Sequence, residues 1–162
     1  MHFEGEQTIH APIASVWAFF MDPNQVAQCA PGFKSMEILG PDHFKPTVSV
    51  GIGPVKATFT LDVVMTGKQE PTHADATARG NAAGTAVEMQ GGMDLTEQSP
   101  TATTMRWVAN VNVSGKIASL GARLMESTAN KLTSRFFDCT RQKLEEQAGV
   151  SAPSPAMEAG GE

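Results

Sequence analysis

Residues 11–33 read APIASVWAFFMDPNQVAQCAPGF, and the rest of the chain has to be fitted around them. Pro12 suits the first turn of a helix, where its missing N–H would have no intrahelical partner. Val16, Phe19 and Phe20 follow at helical spacing, with Trp17 beside them. Asp22-Pro23 repeats the start signal, an N-cap side chain followed by a proline with a preset φ. Pro31-Gly32 closes the segment as a sharp turn. Two short helices this early, ahead of a long strand-like stretch and one long C-terminal helix, point to a cavity-forming binding fold.

On the N-terminal side, His2 to His10 alternates weakly, as a first strand would. On the other side, Lys34–Leu39 and His43–Val50 flank Gly40-Pro41-Asp42 and read as a hairpin. Gly51-Ile52-Gly53-Pro54 breaks the chain again. The cleanest alternation comes next, with Val55, Ala57, Phe59, Leu61 and Val63 on one face and Lys56, Thr58, Thr60 and Asp62 on the other. After a turn near Gln69–Thr72, Ala74, Ala76 and Ala78 alternate with polar residues, a strand whose inner face leaves room. Gly80–Gly84 reads as the next turn. Val87, Met89, Gly91, Met93 and Leu95 then share a face, and Gly91-Gly92 predicts a bulge or bend that curls the sheet. Met105, Trp107, Ala109, Val111 and Val113 share the inner face of the last strand. The expectation is about seven antiparallel strands.

From about Ile117 the period turns helical, with Ile117, Leu120, Leu124, Thr128, Leu132, Phe136 and Cys139 on one stripe. Ser114 is the expected cap, and Gly121 is read as a point of close approach to a neighbour. A helix from Ile117 to Gln147 would be roughly 45 Å long, enough to cross a whole curved sheet. Residues 1–148 are thus expected to form one domain, and 149–162 a disordered tail of small residues and proline.

Composition narrows the function. A net charge of −5 and a pI near 5.3 argue against a nucleic-acid binder, which needs a basic face. No apolar run reaches the roughly 18 residues of a membrane span, and the polar N-terminus is not a signal peptide. Cys29 and Cys139 are too few for a disulfide framework and read as free thiols in a reducing cytoplasm. Nine Met and eight Phe with no Tyr supply adaptable apolar volume without phenol hydroxyls, which suits an apolar, flexible guest.

With that layout in hand, the chain resembles the helix-grip superfamily of START-related and polyketide-cyclase-related proteins. More specifically it resembles the carbon monoxide dehydrogenase G-subunit (CoxG) family. The segments that carry the likeness are Ala11-Pro12 with Val16-Trp17, Asp22-Pro23, Cys29-Ala30-Pro31-Gly32, Gly53-Pro54-Val55, Gly115-Lys116-Ile117-Ala118-Ser119-Leu120-Gly121, and Phe136-Phe137. The resemblance implies an α+β helix-grip fold, a seven-stranded curved antiparallel sheet around a long C-terminal helix. It also implies a non-enzymatic carrier of a hydrophobic molecule, a respiratory quinone such as menaquinone, serving a molybdenum-containing carbon monoxide dehydrogenase or related hydroxylase. Members that associate with membranes carry a C-terminal extension for it. The tail here is short and poor in apolar residues, so transient membrane contact through the cavity mouth is the expectation.

No catalytic or metal motif appears. There is no HExxH, P-loop or GxSxG, and His2, His10, His43 and His73 lack ligand spacing. Asp62, Glu88 and Asp94 are the only carboxylates worth pairing, and Asp62 faces away from the inner side. The expected ligand-binding wall is instead apolar. From the sheet it takes Val55, Ala57, Phe59, Leu61, Met89, Met93, Trp107 and Ala109; from the helix it takes Leu120, Leu124, Thr128 and Leu132. Phe33 is placed at the mouth. No metal and no covalently held cofactor is expected, only a bound quinone or lipid. Two other functions compete with the carrier: an assembly or membrane-recruitment factor for the dehydrogenase, and a cyclase- or aromatase-type enzyme.

Overall fold

The computed structural model describes residues 1–82 and 84–149. The expected disordered tail therefore lies, past Gly149, outside the described residues. The elements follow one another as β1 (His2–Ile9), α1 (Ile13–Phe20), α2 (Pro23–Cys29), β2 (Phe33–Gly40), β3 (His43–Ile52), β4 (Val55–Gln69), β5 (His73–Ala82), β6 (Thr85–Ser99), β7 (Ala102–Gly115), a 3-10 turn (Ile117–Leu120) and α3 (Ala122–Gln147). Seven antiparallel strands form one sheet in the order β1-β7-β6-β5-β4-β3-β2. The sheet curves around α3, whose 26 residues give about 39 Å of helix. This is the helix-grip architecture expected above.

The helix pair forms for the local reasons its sequence supplies. The Asp22 carboxylate accepts from the Asn24 backbone N–H at 3.0 Å, and Pro23 opens α2. Pro12, expected inside the first turn of α1, stands one place earlier as its N-cap, with φ −61°. The two helices pack across one end of the sheet. There Val16, Trp17 and Phe19 meet Ile9, Leu95, Met105, Phe137 and Leu144 in a closely filled core. A second, smaller cluster at the other end centres on Ile52, Phe59 and Ile117.

Four expectations need correction. The long helix does not begin at Ile117: β7 runs through Ser114 to Gly115, and Gly121, at φ 104° and ψ 147°, breaks the chain before α3. Ile117 and Leu120 still fall on the apolar stripe because residues three apart line up on a 3-10 turn as well. Gly121 has no neighbour within 4 Å of a built Cβ, so its role is backbone freedom rather than close approach. Gly91-Gly92 forms no bulge, since β6 stays in register with β7 from Thr85 to Glu97. Gly92 instead makes room for Asp75 on the next strand, whose Oδ1 lies 2.7 Å from where a Cβ would sit. Gly80 belongs to β5, not to a turn, because β4 backbone at Thr60 O approaches within 2.5 Å of its built Cβ position.

The fourth correction concerns the cysteines. Cys29 and Cys139 form a disulfide, with Cα atoms 5.4 Å apart across 110 residues of sequence. Spacing along the chain could not reveal this; packing of α2 against α3 brings the pair together.

Candidate functional site

The filled core and the hollow part of the molecule occupy opposite ends. Where α1 and α2 plug the sheet, side chains interlock. Beyond them the sheet and α3 enclose a cavity of about 280 Å³. Its walls come from every layer: Val48, Val50 and Ile52 of β3, Phe59 and Leu61 of β4, Val87 and Met89 of β6, and Val111 and Val113 of β7. From the helical side come Ile117, Met125, Thr128, Ala129 and Leu132, with Met1, Ala30 and Pro31 at the rim. Thr128 carries the one hydroxyl in that wall among the described residues. An enclosure of this kind binds by surface burial: each 100 Å² of apolar guest surface taken out of water contributes roughly 2.5 kcal/mol before the costs of association.

Of the expected wall, Phe59, Leu61, Met89, Thr128 and Leu132 line the cavity. Val55, Ala57 and Leu120 line a separate cleft at the tip of the same end. Leu124 packs into the second cluster and over the β3–β4 turn, its Cδ2 2.9 Å from a built Cβ on Gly53. Met93 and Trp107 belong to the filled end, where Trp107 stacks on Phe137. Ala109 sits between the two regions, paired with Phe3 and Gly91, and Phe33 pairs with Val48 at the start of β2 without reaching the cavity. The residues passed over had signals of their own. Val48, Val50 and Ile52 alternate along β3, Val111 and Val113 continue the Trp107 stripe, and Met125 and Ala129 widen the helical stripe by one position.

Charge is kept outside. Asp62 pairs with His43, and Arg79 stands in register between Asp62 and Glu88, holding Glu88 Oε2 at 3.2 Å. His73 Nδ1 lies 2.7 Å from Asp94 Oδ1 and its Nε2 lies 2.9 Å from Asp75 Oδ2. The hydrogen bond to Asp94, then that to Asp75, raises the His73 pKa above its ordinary 6.5, because the doubly protonated ring satisfies both carboxylates. So the three carboxylates singled out in the sequence all face solvent in ion pairs. No group of three or more His, Cys, Asp or Glu is placed to hold a metal ion among the described residues. No helix among them is long and apolar enough to cross a membrane.

A curved antiparallel sheet gripping one long helix around an apolar cavity defines a START-like helix-grip domain. Solved structures bear this out. A START superfamily protein from Mycobacterium smegmatis superposes with a TM-score of 0.70 at 12% identity, covering 90% of this chain and 98% of that one. The Zhui aromatase/cyclase from Streptomyces sp. R1128 matches with a TM-score of 0.70 at 16% identity over 93% and 99% of the two chains. A conserved protein from Geobacillus kaustophilus is more similar, with a TM-score of 0.84 at 26% identity over 91% and 97%. Residues 5–145 match the family model of the carbon monoxide dehydrogenase G-subunit (CoxG), and the chain belongs to that family. Among curated proteins no sequence matches it.

Proposed function

We propose that the protein is a non-enzymatic carrier of a hydrophobic small molecule, tied through its family to carbon monoxide dehydrogenase. The observation that carries this reading is the cavity: seventeen residues, most of them from the sheet and α3, enclose it, and among the described residues Thr128 supplies its only hydroxyl. Such a wall offers no acid, base or nucleophile to a reacting atom, whereas a cyclase-type reaction needs a positioned proton donor or acceptor. A membrane-derived respiratory quinone such as menaquinone suits the site, with its ring or part of its chain inside. At about 280 Å³ the cavity is at the small end of ligand pockets, which run from roughly 300 Å³ upward. A long isoprenoid tail would therefore extend through the opening, toward a membrane or a molybdenum-containing dehydrogenase.

The test is direct. The protein is purified from a quinone-containing host, extracted with organic solvent, and the extract analysed by mass spectrometry. A quinone or other long-chain lipid near one equivalent is the expected result and names the cargo. Protein that comes out empty and takes up no added quinone would move the function to assembly or recruitment of the dehydrogenase.

A further inference from the structure

β4 is longer than its neighbour. The β4–β5 ladder starts at Thr60 opposite Asn81, while β3 and β4 stay paired down to Ile52 opposite Val55. The first four residues of β4, Val55–Thr58, therefore project with β3 beyond the end of β5, and their β5-facing side has no strand partner. The 3-10 turn after β7 stands across this gap. Between them lies a cleft of about 430 Å³, with Val55, Ala57, Ala82 and Leu120 along it and Lys56 and Lys116 beside them. Ile117 lines both this cleft and the main cavity, and no other described residue does.

Charge at this end differs from the rest of the chain. The segments that build it, 52–58, 81–87 and 113–125, contain Lys56, Lys116 and Arg123 and no Asp or Glu, in a chain of net charge −5. Among the described residues none of the three cations is in an ion pair. The stem of Lys116 runs over Gly84, its Cδ 3.1 Å from a built Cβ there, which holds the ammonium at this end. Val55 is 36% exposed at the tip, next to exposed Gly53 and Pro54. An apolar tip ringed by uncompensated cations matches the chemistry of an anionic lipid surface, where phosphates meet ammonium groups and the apolar side chain enters the interface. An acidic protein approaches such a surface only with its cationic end leading.

We propose that this end is a docking face for an anionic phospholipid bilayer, with Lys56 and Lys116 meeting lipid phosphates and Val55 entering the interface. The proposal deepens, and rests on, the reading of the neighbouring cavity as a carrier site: Ile117 stands between the docked face and the cavity, where cargo would pass.

Co-sedimentation with vesicles tests it. Vesicles of phosphatidylcholine alone are compared with vesicles in which roughly one-third of the lipid is phosphatidylglycerol. Wild-type protein is expected to pellet with the anionic vesicles only, and less so as salt is raised. The Lys56→Glu/Lys116→Glu protein is expected to bind at least tenfold more weakly. A charge-matched Lys34→Glu/Lys131→Glu protein, altered elsewhere, is expected to bind as wild type does. Equal loss in both variants, or no loss in the first, overturns the docking face. Circular dichroism confirms that each variant is folded. Uptake of an apolar fluorescent probe from water, measured on the same proteins, separates the two readings. Uptake without vesicle binding overturns the docking face and leaves the carrier standing. Vesicle binding without uptake keeps the docking face and overturns the carrier.

Discussion

The indole of Trp107 lies nearly parallel to the ring of Phe137, with centroids 5.2 Å apart and 29° between planes. The stack fills the space between β7 and α3, and it depends on a glycine. Trp107 pairs in register with Gly5 of β1, and a Cβ built on Gly5 would fall 2.8 Å from Nε1 and 2.9 Å from two ring carbons. Gly5→Ala should therefore push the indole off Phe137 and destabilise the protein by about 1–3 kcal/mol, the usual range for overpacking. Urea denaturation gives the answer, and an unchanged midpoint would show that the ring has slack. Apolar probe binding in the cavity, at the other end, should not move.

The Cys29–Cys139 bond should be visible in simple chemistry. Unfolded, unreduced protein should show no titratable thiol, and reduced protein two. Because the bond closes a loop of 110 residues, Cys139→Ser should cost about 2–4 kcal/mol, largely by freeing the unfolded chain. Two reactive thiols before reduction would remove the bond and that expectation together.

These cases show what the sequence reveals and where it stops. Local signals carry far: Asp22-Pro23 caps α2 as read, and Val55–Val63 alternates as a strand with Phe59 and Leu61 inward. The face of each side chain follows from period two or 3.6, so inner and outer were legible. Position along that inner face was not. Trp107 and Met93 point inward as expected, yet they sit under the α1–α2 plug, whereas Val111 and Val113 on the same stripe line the cavity. Which end the helix pair fills is a tertiary choice that no local pattern records. The disulfide is hidden for the same reason, and the Gly121 break is hidden because a 3-10 turn and an α-helix share a three-residue spacing.

Gly121 offers a clean measurement. Its φ of 104° with ψ of 147° is close to a region that only glycine populates comfortably. A Cβ there would touch nothing within 4 Å, so Gly121→Ala reports backbone strain alone. A loss of about 1–3 kcal/mol is expected. Gly40→Ala, equally free of neighbours but without a positive φ, should be near neutral. Equal effects at both positions would contradict the backbone explanation.

His73 should make stability depend on pH in a defined direction. Its folded pKa is raised by the hydrogen bonds to Asp94 and Asp75, while the unfolded value stays near about 6.5. The native state therefore holds the proton more tightly. The contribution is fully present below the unfolded pKa and is lost as pH rises through the higher, folded one. Asp94→Asn removes the largest cause, so the His73 titration followed by NMR should move down toward 6.5 and this part of the pH dependence should shrink. A titration unmoved by that change would mean the contact does not form in solution.

The cavity is best challenged by filling it. Ala129 faces the hollow from α3, while Asn130, one residue on, lines the groove beside β1 on the other flank of the helix. Ala129→Phe places a ring where there is room for one, so the fold should keep its stability to within about 1 kcal/mol or gain slightly. Binding of an apolar fluorescent probe should fall at least tenfold, because the ring takes the volume the guest needs. Asn130→Phe adds the same bulk on the other side and should leave binding as it was. If both variants bind equally well, the guest sits elsewhere; if both lose binding, the effect lies in the helix and not in the cavity.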